Sequence, residues 1–161
     1  MNEAFEVRTV SPEETEALGR RLAALLPPGS VVALRGDLAA GKTCLVRGIA
    51  GRADRVAPVH SPTFTIVNEY PAEADGPSIV HVDLYRLTSI DEMADLGPEE
   101  LFDPGDASRI VVVEWAERAE ALLPALRVDI ALEHAGHDRR RIAIRDHGVL
   151  PDGWPDALAA E

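Results

Sequence analysis

The residues Gly36-Asp37-Leu38-Ala39-Ala40-Gly41-Lys42-Thr43 match the pattern G-x-x-x-x-G-K-[ST]. In this pattern the glycines let consecutive backbone N–H groups turn toward a polyphosphate, and the lysine places a point charge against the terminal phosphates. The hydroxyl that follows the lysine ligates Mg²⁺. Lys42 is the only lysine in the chain, because every other basic side chain is an arginine. The pattern therefore predicts a nucleotide site at residues 36–43, with Cys44 either beside it or simply a small buried side chain.

Two carboxylates follow apolar runs that are typical of buried strands. Glu114 comes directly after Val111-Val112-Val113, and Asp83 ends the run that begins at Ile79. A phosphate-loop enzyme needs a carboxylate at the end of a neighbouring strand to hold Mg²⁺ or its water shell. A solvent-exposed strand end is the alternative for each residue. Next to a phosphate loop, we favour both as site residues.

The elements that must position these residues are predicted from hydrophobic periodicity and from start and stop signals. Ser11-Pro12-Glu13-Glu14 supplies a helix cap, a proline at the first helical position and a capping-box glutamate. We expect strands at about 5–10, 31–34, 63–70, 79–84, 110–113, 127–133 and 141–145, and helices at about 12–26, 43–50, 89–95 and 98–102. Two hairpins are expected, 63–70 with 79–84 and 127–133 with 141–145. The prediction is a single α/β phosphate-loop domain with a mixed sheet over residues 1–146, and a loosely held tail over 147–161.

Composition limits the partners and the compartment. The 161 residues carry 16 basic and 28 acidic side chains, a net charge of −12, which disfavours stable nucleic-acid binding by this protein alone. No apolar run approaches the length of a membrane span, and the N-terminus lacks the pattern of a secretory signal. Together with the single cysteine, these features predict a cytoplasmic protein without a membrane association.

Three further segments leave alternatives open. His60-Ser61-Pro62-Thr63-Phe64-Thr65 is either a nucleotide-responsive loop or a loop whose hydroxyls bond their own backbone. Arg139-Arg140-Arg141 is either a solvated strand edge or a contact to nucleotide or partner. Because no second lysine exists to build an Asn-Lys-x-Asp guanine-reading motif, the sequence favours ATP over GTP.

Four blocks together resemble the TsaE family, the bacterial ATPases of tRNA threonylcarbamoyladenosine biosynthesis. They are the phosphate loop, Ser61-Pro62-Thr63-Phe64-Thr65-Ile66-Val67-Asn68-Glu69-Tyr70, His81-Val82-Asp83-Leu84-Tyr85-Arg86-Leu87 and Val113-Glu114-Trp115. The resemblance covers about residues 5–146 in order. It implies a phosphate-loop fold and an ATPase that acts with the TsaB and TsaD proteins, which transfer a threonylcarbamoyl group to the adenosine beside the anticodon of certain tRNAs. Contact with tRNA would be indirect, through that complex.

The resemblance also implies roles by position. Lys42 would hold phosphates, Thr43 and Glu114 would bind Mg²⁺, and Asp83 would position the metal or the attacking water. Thr63 would belong to the nucleotide-responsive loop, and Trp115 would lie near the nucleotide or the partner surface, with core packing as the alternative. Ser11 and Arg140 correspond to adenine-side contacts.

Three positions depart from the family pattern: Ala39 stands where glycine is usual, Cys44 where threonine is common and Ala116 where proline often occurs. Because alanine resists positive φ, we expect Ala39 to keep an ordinary backbone conformation. Two other functions remain open, a nucleotide-gated adaptor that does not hydrolyse ATP and, less favoured, a small-molecule kinase. No segment of the sequence is typical of the arginine-bearing lid that a kinase usually has.

Overall fold

A computed structural model of the chain describes residues 3–37, 39–51, 67–71, 76–87 and 89–160. The strands are β1 (Phe5–Thr9), β2 (Val31–Arg35), β3 (Val67–Tyr70), β4 (Ser78–Asp83), β5 (Arg109–Glu114), β6 (Val128–His134) and β7 (Arg140–Asp146). The helices are α1 (Pro12–Leu25), α2 (Lys42–Ala50), α3 (Pro98–Leu101) and α4 (Trp154–Ala159), with 3₁₀ segments at Ile90–Leu96 and Ala116–Leu122. None of the helices within these residues is both long and apolar enough to cross a bilayer.

The strands form one mixed sheet in the order β1-β7-β6-β2-β5-β4-β3. The central strand β2 runs parallel to both neighbours, β5 and β6, and β5 runs parallel to β4. The outer pairs β3–β4, β6–β7 and β1–β7 are antiparallel. The mixed α/β sheet and both predicted hairpins are therefore confirmed over the described residues; the part of the first hairpin strand before residue 67 lies outside them.

Each face of the sheet is covered by a separate apolar layer. One face packs on α1, α2 and α4, and its buried residues include Leu18, Leu45, Val112 and Leu158. The opposite face packs on the two 3₁₀ segments and α3 through residues such as Met93. Because β2, β4 and β5 are covered on both sides, they read as nearly continuous apolar runs.

The start of α1 follows the predicted capping pattern. The Ser11 side chain accepts a hydrogen bond from the backbone N–H of Glu14 at 3.1 Å, and Pro12 occupies the first turn. The Glu14 carboxylate reaches back to accept from the backbone N–H of Val10 at 2.8 Å. The Ser11 bond satisfies a donor that a helix start otherwise leaves free, whereas the Glu14 carboxylate binds the residue before the cap instead of the Ser11 N–H of a regular capping box.

Two glycines bring α1 and α2 into direct backbone contact. A Cβ built on Gly48 would lie 2.0 Å from the carbonyl oxygen of Glu16, and one on Gly19 would lie 2.4 Å from the carbonyl oxygen of Leu45. Both obstructing atoms are backbone, which cannot swing aside as a side chain can. The absence of Cβ atoms at these two positions thus sets how closely the two helices approach.

We expect Gly48→Ala to lower the free energy of unfolding by about 3 kcal/mol, since the helices must separate to admit the methyl group. Urea unfolding of the purified variant measures the change. Gly105→Ala is the matched control, because the atom nearest to its added Cβ belongs to the side chain of Asp103. Equal stability of the two variants would contradict the close helix contact.

The C-terminal segment differs from the predicted loosely held tail. Residues of α4 pack on the domain: Leu158 is fully buried, and the Trp154 ring meets the Phe5 ring edge-on at 5.5 Å. Arg21 on α1 donates to the carbonyl oxygen of Leu158 at 3.1 Å. Pro155 lies in the first turn of α4, where its missing N–H costs nothing.

Asp129 is the centre of an ion-pair network with Arg35, Arg127 and His147. Asp129 accepts from Arg127 at 2.9 Å and from the His147 ring at 2.8 Å, and lies 3.4 Å from Arg35. Glu120 accepts from Arg127 and Arg35. Burial acts to raise the pKa of Asp129, but the hydrogen bonds from Arg127 and His147 and the positive charges of Arg127 and Arg35 outweigh it, so the pKa lies below its ordinary value.

The depressed pKa gives Asp129 a pH-dependent contribution to stability. A carboxylate with a lower pKa in the folded than in the unfolded state stabilises the fold above the unfolded value, and this is lost as pH falls through the folded value. We expect Asp129→Asn to lower the free energy of unfolding by about 2 kcal/mol at neutral pH. The difference from wild type should shrink as the pH falls below about 4. Urea titrations across pH measure this, with the exposed Asp152 mutated to asparagine as control; a pH-independent difference would be the contrary result.

Candidate functional site

The phosphate loop connects the carboxyl end of β2 to the start of α2. Gly36 has φ +149° and Gly41 has φ +102°, conformations that side-chain-bearing residues rarely adopt. A Cβ on Gly36 would also lie 2.6 Å from the carbonyl oxygen of Leu132 on β6. The backbone conformation therefore favours glycine at both positions, and packing against β6 requires it at Gly36 as well. The predicted site residue Leu38 lies outside the described residues.

The expectation for Ala39 was wrong. Its φ is +62°, in the left-handed region that L-residues enter at a cost of about 1 kcal/mol. Its carbonyl oxygen accepts a hydrogen bond from Arg140 Nη2 at 3.1 Å. The intrinsic preference of alanine predicted a negative φ, whereas the loop between β2 and α2 requires a positive φ at this position.

Lys42 begins α2 with its ammonium enclosed by the protein. Nζ donates to the carbonyl oxygen of Gly36 at 2.5 Å and lies 3.7 Å from the ring centroid of Trp115. The residue is only 5% exposed. Burial lowers the pKa of Lys42, and the negative charges of Glu114, Glu117, Asp83 and Asp37 oppose that shift. The single lysine thus lies among the acidic residues of the predicted site.

The two predicted carboxylates are neighbours at the edge of the sheet where the phosphate loop begins. Asp83 ends β4, Glu114 ends β5, and the two are paired in register, with Glu114 also opposite Leu34 of β2. Neighbouring residues of paired strands point to the same face, here the face that α2 covers. Both are buried, with Glu114 2% exposed, so the solvent-exposed alternative does not hold.

Each carboxylate has a local hydrogen-bond partner. Asp83 accepts from the backbone N–H of Tyr85 at 2.9 Å. Glu114 Oε2 lies 2.5 Å from Nε2 of His81, a fully buried histidine on β4. Sequence reasoning gave His81 no role. The sequence did contain an indication of a role: His81 stands two residues before Asp83, so both side chains lie on the same face of the strand.

The residues present fit Mg²⁺ that arrives with a phosphate. Mg²⁺ prefers oxygen ligands and is usually bound by one or two carboxylates together with waters and phosphate oxygens. Thr43 in the first turn of α2, Asp83 and Glu114 are donors of this kind. Among the described residues, no group of three or more His, Cys, Asp or Glu forms an all-protein metal cage. This arrangement suits an ion shared with a nucleotide.

Trp115 packs against the core and also contacts the lysine of the phosphate loop. Its ring is partly buried against the second apolar layer and also lies over Lys42. It has φ +57°, a rare conformation for a bulky residue and one that clusters at functional sites. The ring centroids of Trp115 and Tyr85 are 5.1 Å apart. The aromatic pair borders the site next to the lysine.

Arg140 and Ser11 lie on the other side of the loop. Arg140 contacts the loop through the Ala39 carbonyl, so it is more than a solvated strand edge. It pairs with Thr9 of β1, which places Ser11, two residues further on, near the same end of the sheet. The Ser11 hydroxyl is engaged as the cap of α1. Cys44 is partly exposed on α2, and Thr63 lies outside the described residues.

A cleft of about 510 Å³ opens beside the phosphate loop. It is lined by Arg35, Gly36, Asp37, Ala40 and the end of β6 from Ala131 to His134. This volume lies within the range of small-molecule sites. The cleft lies at the carboxyl ends of the parallel strands β2 and β6, where ligands bind in open α/β sheets, and Gly36, Asp37 and Ala40 are the phosphate-loop residues that line it.

Comparison with known proteins identifies the family. Residues 9–142 match the family model of the threonylcarbamoyl adenosine biosynthesis protein TsaE. The chain belongs to the TsaE family. It is 43% identical over 136 residues to the TsaE protein of Bacillus subtilis, covering 84% of this chain and 81% of that one.

Other TsaE relatives and a solved structure agree. The TsaE protein of Streptomyces coelicolor is 41% identical, covering 81% of this chain and 89% of its own. The TsaE protein of Treponema pallidum is 36% identical, covering 83% and 95%. The crystal structure of Bacillus subtilis YdiB superposes with a TM-score of 0.71 at 34% identity, covering 99% of this chain and 93% of that one.

Proposed function

We propose that this TsaE-family protein is a Mg²⁺-dependent ATPase required for threonylcarbamoyladenosine modification of tRNA. Family membership supports the pathway. One structural observation carries the chemistry: Lys42, Asp83 and Glu114 converge from three elements at the mouth of the phosphate loop. An ammonium for phosphates and two oxygen ligands at adjacent strand ends are what a phosphate-loop nucleotidase uses.

In this proposal the loop amides and Lys42 bind the β and γ phosphates of ATP. To reach them, the ammonium must exchange its bond to the Gly36 carbonyl for bonds to phosphate oxygens. Thr43 and Glu114 hold Mg²⁺, which supplies charge neutralisation of the phosphates when bound. Asp83 orients the attacking water. Ser11, Arg140 and Trp115 border the nucleotide.

Because phosphoryl transfer depends on positioning and charge stabilisation, we expect an incomplete site to turn over slowly. The proposed partners are the TsaB and TsaD proteins, whose transferase this ATPase would support through repeated turnover. The tRNA would be engaged through that complex, since a net charge of −12 opposes strong binding of tRNA by the isolated protein.

Phosphate release from Mg-ATP tests the proposal, with the protein alone and with the TsaB–TsaD pair. We expect a slow rate alone, a higher rate with the pair, and preference for ATP over GTP. Equal rates with and without the pair would contradict the partner-dependent mechanism. Nucleotide binding without any hydrolysis would favour the non-hydrolysing adaptor. The enclosed Lys42 ammonium is compatible with that function as well, because bound nucleotide would draw the ammonium away from the Gly36 carbonyl and the Trp115 ring.

A further inference from the structure

His81 is a buried titratable residue that the mechanism above does not use. It is fully buried in the middle of β4, on the face of the sheet that α1 and α2 cover. The apolar residues Ile79 and Val112 occupy neighbouring positions on that face, with Val112 directly opposite His81. An aliphatic side chain would satisfy such a position, whereas a buried polar ring costs free energy unless it is hydrogen-bonded.

The ring makes one side-chain hydrogen bond within the described part of the chain. Nε2 lies 2.5 Å from Oε2 of Glu114. The other ring nitrogen, Nδ1, is buried and has no partner among the described residues. An unpartnered buried nitrogen makes His81 a poor choice if its purpose were only to stabilise the fold. Its one polar contact is instead directed at the carboxylate to which the chemistry is assigned.

We infer that His81 is a positioning residue for Glu114. Glutamate has a flexible side chain, and a hydrogen bond to Oε2 restrains its rotamer while leaving Oε1 for the ligand of the site. Buried partners that orient a metal-binding side chain typically change metal affinity or activity by about 10–100-fold when removed. The inference rests on the proposed function, since it assumes that Glu114 acts on the bound nucleotide and its metal.

Two substitutions separate positioning from packing. His81→Leu fills the space with an apolar side chain and removes the hydrogen bond. His81→Gln carries an amide N–H₂ that can still donate to Glu114. Ile79→Ala is the matched control, because it removes buried atoms from the same strand and face without touching Glu114. A residue that only packs would give the same result in the leucine and glutamine variants.

The kinetic test measures kcat and KM for Mg-ATP with the TsaB–TsaD pair present, and nucleotide affinity without metal. We expect His81→Leu to lower kcat about 10–100-fold while nucleotide affinity without metal stays within about twofold. His81→Gln should recover most of the loss. Ile79→Ala should lower the melting temperature and leave kcat unchanged. Wild-type kcat in a folded His81→Leu variant, or equal losses in the leucine and glutamine variants, would overturn the inference.

Two readouts do not depend on turnover. The first is the affinity for Mn²⁺ in the presence of a non-hydrolysable ATP analogue, followed by electron paramagnetic resonance; we expect weaker binding in His81→Leu and recovery in His81→Gln. The second is the ¹⁵N resonance of the His81 ring in the free protein, which should shift in Glu114→Gln. If the wild-type protein fails to hydrolyse ATP, the proposed function is wrong. Separately, an unchanged Mn²⁺ affinity in His81→Leu, or an unshifted His81 resonance in Glu114→Gln, would overturn the role of His81.

Discussion

Replacing Lys42 with alanine is expected to lower the rate of Mg-ATP hydrolysis by at least about 100-fold, both alone and with the TsaB–TsaD pair. The ammonium lies at the start of α2 between the Gly36 carbonyl and the acidic residues of the site. Lys42 is the only lysine in the chain, and alanine has no ammonium group that could contact the two phosphates. Phosphate release under saturating ATP measures the effect.

Arg47→Ala is the matched control for this prediction. It removes one positive charge from the same helix, where Arg47 lies 4.0 Å from Glu16 rather than at the phosphate loop. We expect its rate to stay near that of wild type. Lys42→Arg adds a second comparison: because the planar guanidinium is larger and differently shaped, it should also be slow. A Lys42→Ala variant that is folded and retains the wild-type rate would refute the assigned role.

Replacing Glu114 with glutamine is expected to separate nucleotide binding from hydrolysis. The substitution keeps the size of the side chain but removes a buried charge at the junction of β5, β4 and β2. We expect turnover to fall by about 100-fold while ATP affinity without metal is retained, since the loop amides and Lys42 are unchanged. Calorimetric titration with ATP and phosphate release measure the two properties.

Glu117→Gln serves as the control for Glu114. Glu117 also contributes negative charge near Lys42 but is exposed and follows the end of β5. Its rate should stay close to wild type. Docking to TsaB–TsaD, measured with both variants, then distinguishes the two functions. Loss of turnover with docking intact makes hydrolysis separable from assembly, whereas unchanged cycles of tRNA modification in Glu114→Gln would favour the non-hydrolysing adaptor.

The elements that were predicted correctly are those with strong local signals. The capped start of α1 and the β6–β7 hairpin depend on residues close together in the chain, and so do the apolar strands β2, β4 and β5. The segment Ala116–Leu122 and the helix α4 were missed. Both are short, and tertiary packing rather than periodicity stabilises them, as the full burial of Ala116, Ala119 and Leu158 shows.

The sequence by itself determined that this is an α/β phosphate-loop protein of the TsaE family, because the phosphate loop and the blocks at 61–70, 81–87 and 113–115 are motifs of residue types at fixed local spacing. Only the tertiary structure decided which strands are neighbours, and hence that Asp83 and Glu114 lie side by side next to the loop. The left-handed conformation of Ala39, the enclosure of Lys42 by Trp115 and the contact of His81 with Glu114 were likewise decided there. Lys42 and Trp115, for example, are 73 positions apart in the chain. Local propensity carries no information about such pairs, since chain folding alone brings them together.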